Sequence, residues 1–138
     1  MHQPAIYPGL AGKTVFITGG GSGIGAALTR AFAGQKSKTA FVDIAVEPSR
    51  ALVAEVERET GNRPLFLPCD IRDIPALQAA IEQVRCELGD VAVLVNNAAN
   101  DQRHKVEEVT PDYWDERMAV NLRPSFFTAQ AVLPQMQR

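Results

Sequence analysis

Thr18-Gly19-Gly20-Gly21-Ser22-Gly23-Ile24-Gly25 decides how the rest of this chain is read. The octet follows a β-branched apolar run, Thr14 to Thr18. It opens a segment whose apolar residues Ile24, Ala27, Leu28, Ala31 and Phe32 fall on one helical face, expected to cover a sheet. Strand, glycine turn and helix in that order separate a dinucleotide-binding fingerprint from a chance cluster of glycines. Gly19 is expected to permit the tight turn, Gly23 to let the backbone approach a pyrophosphate, and Gly25 to let helix and strand pack closely. The helix N-terminus then offers N–H donors and the positive end of its dipole to that pyrophosphate. Upstream, Gly12-Lys13-Thr14 ends like a P-loop. The place of that motif's first glycine holds Tyr7, however, and the triplet precedes a strand, so phosphoryl transfer is rejected.

Working outward, short β-rich runs alternate with stretches of helical period, the pattern of βαβ units and a parallel sheet. The strands are placed at Thr14 to Thr18, Thr39 to Asp43, Leu65 to Asp70 and Val91 to Asn96. Ile74, Leu77, Ile81, Val84 and Leu88 mark one further sheet-covering helix, and Leu52, Val53 and Val56 a weaker one. A fourth helix is expected from Thr110 as N-cap and Pro111 at the first helical position, running past Trp114, Met118 and Leu122 towards Phe126. The fold class is therefore α/β: a three-layer αβα, Rossmann-type doubly wound parallel sheet. It is incomplete at about four strands, in the order 3-2-1-4. No linker or repeat divides residues 1–138, which read as one nucleotide-binding domain.

Composition narrows the partners. The 138 residues are 46% hydrophobic with a formal net charge of −2, so there is no electrostatic footprint for nucleic acid or an anionic membrane. The opening Met1-His2-Gln3-Pro4 shows no leader and no run is long enough to span a bilayer, which predicts a soluble, cytoplasmic protein. Cys69 and Cys86 read as reduced and structural, and neither they nor His2 and His104 have metal-ligand spacing, so no metal is expected.

The chemistry-bearing residues lie at the carboxyl ends of the predicted strands. Asp43 ends the second strand, eighteen residues after Gly25. A carboxylate there can accept from adenosine ribose hydroxyls and repel a 2′-phosphate, which favours NAD over NADP. Ser22 in the loop and Ile44 after the aspartate add no cation, although Lys36 and Lys38 are close in sequence.

With these residues in view, the chain resembles the short-chain dehydrogenase/reductase family. Cys69-Asp70-Ile71 is similar to that family's adenine-contacting segment, Asn96-Asn97-Ala98-Ala99 to its Asn-Asn-Ala-Gly turn, and Asn121-Leu122 to the site of its helix asparagine. The resemblance implies that Gly19, Ser22, Gly23, Ile24, Gly25 and Asp43 bind the cofactor. It further implies that Asp70 accepts from the adenine amino group, Ile71 packs on the ring, and Asn97, Ala98 and Ala99 run beneath the nicotinamide ribose. Ala99 departs from the usual glycine. Asn121 matches the family's catalytic asparagine, which holds a proton-relay water through its backbone. Pro124 adds a physical argument, since it cannot donate to the carbonyl of Val120 and so opens the helix beside Asn121.

The family's catalytic serine and Tyr-x-x-x-Lys pair find no match; Tyr7 and Tyr113 are both wrongly placed. The chain is therefore expected to be the N-terminal portion of such an enzyme. Alone it would be inactive and prone to self-association through an unpaired sheet edge. A non-catalytic dinucleotide-binding module is the alternative. Within the family, Ala5-Ile6-Tyr7-Pro8, Phe41-Val42-Asp43-Ile44-Ala45, Asn100-Asp101-Gln102-Arg103-His104-Lys105 and Tyr113-Trp114-Asp115-Glu116-Arg117 resemble the NAD-dependent aldose 1-dehydrogenases, such as those acting on D-xylose or galactose. That implies oxidation of a sugar hydroxyl to a lactone, with the polar loop from Asp101 to His104 reaching sugar hydroxyls. A homotetramer or homodimer is implied by the same resemblance.

Overall fold

A computed structural model describes residues 5–138, leaving Met1 to Pro4, with His2, outside the description. Four strands, β1 (Thr14–Thr18), β2 (Lys38–Asp43), β3 (Leu65–Pro68) and β4 (Val91–Asn96), form one parallel sheet in the order β3-β2-β1-β4. Among the described residues five α-helices connect and flank them: α1 (Gly23–Gly34), α2 (Val46–Thr60), α3 (Ile74–Leu88), α4 (Pro111–Asn121) and α5 (Arg123–Met136). The order and direction are those expected from the alternating pattern. Among the described residues no helix is long and apolar enough to cross a membrane.

Alternation along β1 builds two cores. Val15 and Ile17 point to one face and pack with Phe41, Leu52, Val53 and Val56, whereas Phe16 points to the other with Leu77, Ile81, Val84 and Val132. Each of these is at most 5% exposed, and full burial of such a side chain contributes roughly 1.5–3 kcal/mol. The sequence pattern foretold α2 and α3 in register: Leu52, Val53 and Val56 are buried, as are Ile74, Leu77, Ile81 and Val84.

Three local expectations need correction. First, α1 turns Gly25, Ala26, Thr29 and Ala33 inward, leaves Leu28 and Phe32 half-buried, and exposes Ile24, Ala27 and Ala31. Close approach governs this face more than hydrophobicity, because a Cβ at position 25 would overlap the Gly19 carbonyl oxygen. Second, β3 stops at Pro68, which has no N–H for the ladder, although the Cys69 N–H still donates to the Asp43 carbonyl at 3.1 Å. Third, the fourth helix is two. Thr110 caps α4 as expected, accepting from the Tyr113 N–H at 3.2 Å, but the chain breaks at Leu122 (φ −125°, ψ −53°) and restarts as α5 with Pro124 in its first turn. The anticipated stripe accordingly does not face the sheet: Trp114, Leu122 and Phe126 are exposed, and Pro124, Thr128, Val132 and Gln135 are buried in their place.

Candidate functional site

Strand register brings the expected site residues to one edge. Thr18 pairs with Val42 and with Asn96, and Asp43 pairs with Pro68, so the glycine loop, Asp43, the 69–72 turn and the 97–100 loop all leave the carboxyl end of the sheet. The order reverses between β1 and β4, the crevice where open α/β sheets bind ligands. Lys38 begins β2 at the opposite end and its Nζ donates to the Leu88 carbonyl.

The loop is held from three sides. Gly19 has φ +67°, a conformation that favours glycine, and its N–H donates to the Val42 carbonyl at 2.8 Å. Thr29, fully buried on α1, lies with its hydroxyl 3.0 Å from the carbonyls of both Gly20 and Gly25. Asn97 clamps the far side: its carboxamide donates to the carbonyls of Thr18 and Gly19, while the N–H groups of Asn97 and Ala98 donate to the Thr18 hydroxyl at 3.1 Å each. Gly23 (φ +52°) has open space where a side chain would stand.

The start of α1 leaves this loop receptive to an anion. Asp73 and Thr110 each cap their helices through the side chain, but Ser22 at the N-cap of α1 makes no such bond among the described residues. The first-turn N–H groups of α1 are therefore left without a side-chain cap, which is the arrangement that binds phosphate. Ile24, 76% exposed, stands beside them and not against the sheet.

Asp43 sits half-buried opposite the loop. Its Oδ2 accepts from the Gly21 N–H at 3.0 Å and its Oδ1 from the Ala45 N–H at 2.9 Å, leaving acceptor capacity on both oxygens. Ile44 next to it is exposed and apolar. Asp70 is engaged differently: Arg72 grips its carboxylate in a bidentate pair at 2.7–3.0 Å, and these bonds hold the carboxyl below its ordinary pKa. Ile71 is buried in the core beneath the turn. Burial, then the nearby Asp73 and Asp70, pushes the Cys69 thiol up, as befits an inert structural cysteine.

The 97–104 loop is tied to α4. The Asn121 carboxamide pairs with the backbone of Asn100, accepting from its N–H at 2.7 Å and donating to its carbonyl at 3.0 Å. At the helix break the Ser125 N–H donates to the Leu122 carbonyl at 3.1 Å, away from the Asn121 carbonyl that an unbroken helix would supply. Beyond Asn100, the Tyr113 hydroxyl lies 2.8 Å from His104 Nδ1, and Arg117 stacks 4.7 Å above the Tyr113 ring while donating to Gln102 Oε1 at 2.8 Å. Arg117 Nε and Nη1 are buried with no partner among the described residues. The sequence offers Tyr113 and Arg117 within one segment of resemblance, without their contacts to the loop; their i, i+4 spacing is the signal for a shared face.

A doubly wound sheet with an uncapped glycine loop and a second strand that ends in an aspartate defines a dinucleotide-binding protein of the Rossmann class. The comparisons sharpen this, because the family model described as short chain dehydrogenase matches residues 13–138. The chain belongs to the short-chain dehydrogenase family. It is 54% identical over 134 residues to D-xylose 1-dehydrogenase of Caulobacter vibrioides, covering 97% of this chain and 52% of that protein. It is 52% identical over 132 residues to "Probable galactose dehydrogenase GalD" of Rhizobium meliloti, covering 96% of this chain and 52% of the relative. A short-chain dehydrogenase/reductase of Serratia marcescens superposes with a TM-score of 0.88 at 34% identity, over 94% of this chain and 53% of that one. The chain thus spans about half the length of the curated relatives it matches.

Proposed function

We propose that this chain is the nucleotide-binding part of an NAD-linked dehydrogenase that oxidises a ring hydroxyl of an aldose, such as D-xylose, to its lactone. The observation that carries the cofactor assignment is Asp43. Its carboxylate stands across the glycine loop with acceptor capacity on both oxygens, suited to ribose hydroxyls and repellent to a 2′-phosphate. Substrate class rests on the two sugar-dehydrogenase relatives.

In this reading Gly19, Ser22, Gly23, Ile24 and Gly25 seat the pyrophosphate on the open N-terminus of α1. Asp70 receives the adenine amino group alongside Arg72, and Ile71, with what surface the core leaves it, packs on the ring. Asn97, Ala98 and Ala99 line the nicotinamide end. Bound NAD supplies the hydride acceptor. Asn121 holds the Asn100 loop through its side chain and presents its carbonyl at the helix break to a relay water. Gln102 and His104, fixed by Arg117 and Tyr113, orient sugar hydroxyls. Removal of the substrate proton requires the family's serine, tyrosine and lysine, which residues 1–138 do not supply.

The test is NADH formation by the intact protein with a panel of aldoses, using NAD and NADP in parallel. Turnover with D-xylose or D-galactose and a preference for NAD are expected. NADH binding without turnover on any aldose would favour the non-catalytic binding module.

A further inference from the structure

Beneath the glycine loop lies a polar group that none of the proposed cofactor contacts uses. Ser49, in the first turn of α2, is 0% exposed, and its hydroxyl has no hydrogen-bond partner among the described residues. Its backbone N–H donates to the Ala45 carbonyl at 3.2 Å, which anchors the residue at the start of the helix. A buried hydroxyl with no partner is destabilising, so one held against a ligand loop calls for a function.

Its surroundings identify that function. A Cβ at Gly21 would overlap Ser49 Oγ and stand 2.9 Å from Asp43 Oδ2, so both oxygens crowd the same point against the loop. Gly21 does not have positive φ, so glycine is required there for room and not for backbone conformation. Asp43 already accepts one protein N–H on each oxygen, from Gly21 and from Ala45. The hydroxyl is thus an unengaged donor close to Oδ2 of this carboxylate.

We propose that Ser49 is a positioning residue for nucleotide specificity. When ribose hydroxyls load the outer lone pairs of Asp43, the Ser49 hydroxyl turns to donate to Oδ2. The carboxylate then keeps its plane, facing the ribose of NAD and opposing a 2′-phosphate. This rests on the reading of Asp43 as the ribose acceptor. The role explains why an otherwise costly buried hydroxyl is tolerated: its donor is spent only in the complex.

Ser49→Ala in the intact protein, titrated with NADH and NADPH and followed by thermal melting, gives two readouts of opposite sign. NADH affinity is expected to fall about 3- to 10-fold, the effect of one hydrogen bond. NADPH affinity should hold or improve, and Tm should stay level or rise because an unpartnered polar group has gone. A merely structural serine would move Tm and leave the nucleotide preference alone. NADH affinity within about twofold of wild type, less than one hydrogen bond is worth, overturns the proposal. Should alanine open a void and lower Tm, Ser49→Cys fills it with a slightly larger group that is a weaker donor. Weakened NADH binding at native Tm then supports the role, and wild-type affinity overturns it. Asp43→Ala separates the two layers of argument. NADH binding lost there but untouched by Ser49→Ala defeats the role of Ser49 alone; wild-type NADH affinity in Asp43→Ala defeats the reading of Asp43 itself.

Discussion

The β1–α1–β2–α2 half and the β4–α4–α5 half of this molecule are built to different standards. In the first, every residue of β1 is buried, Phe41 stacks on Phe66 with centroids 5.1 Å apart, and the ligand loop is pinned by Thr29, Asn97 and Asp43. In the second, only Val91 of β4 is buried, no residue of α4 is, and Trp114, Phe126, Leu133 and Met136 lie exposed. The glycine-loop end is preorganised by packing; at the other, α5 packs through Val132, but the loop from Asn100 to His104 is joined to α4 by polar side chains. Preorganisation of the first kind resists perturbation until a core atom is removed. The second kind can be altered residue by residue.

Mutations that widen or narrow this contrast test it. Phe41→Ala removes a fully buried ring from the nucleotide half and should cost about 3–5 kcal/mol in urea melts, with NADH binding lost alongside. Gly25→Ala would drive a Cβ into the Gly19 carbonyl and to 2.7 Å from Asn97 Nδ2, both fixed groups. A loss of about 2–3 kcal/mol and no measurable NADH binding are expected, read by melting and fluorescence titration. Across the molecule, Tyr113→Phe deletes the His104 contact and should cost only about 1 kcal/mol. It should raise KM for the sugar while leaving NADH affinity unchanged, a split that steady-state kinetics resolves. Trp114→Ala, on an exposed face, should alter stability by no more than about 0.5 kcal/mol; a loss as large as that of Phe41 would erase the contrast.

The smallest expected effect is one of pH. Asp70 is held below its ordinary pKa by Arg72, so its stabilising contribution is present above the usual carboxylate range. It is lost as pH falls through the lowered value. The pair is exposed and screened by solvent. Arg72→Ala should therefore lower stability slightly at neutral pH, leave it unchanged in strong acid and so flatten the acid side of the profile, read by urea melts across pH.

Much of the nucleotide half was legible because its signals are local. A glycine octet between a strand and a helix, and an aspartate at the end of the next strand, carry their meaning in sequence order. The face of α1 was not legible, because close approach at Gly25 overrides the hydrophobic stripe that includes Ile24 and Ala31. The same limit hid Ser49: one serine in a helical pattern reads as a solvated position until Gly21 and Asp43 are folded onto it. Pro124 announced a disturbance near Asn121, yet only the structure shows the Ser125 N–H turning to Leu122 and the Asn121 side chain spent on Asn100. The Gln102, His104, Tyr113 and Arg117 network joins a loop to a helix, and no periodicity encodes such a contact.

Hydrogen exchange of the intact protein, with and without NADH, tests the central claim most directly. The account predicts added protection at the amides of 19–25, around Asp43 and the 69–72 turn, and in the 97–99 loop, with the amides of α5 unchanged. Unchanged exchange at the glycine loop under saturating NADH, or protection confined to α4 and α5, would contradict it.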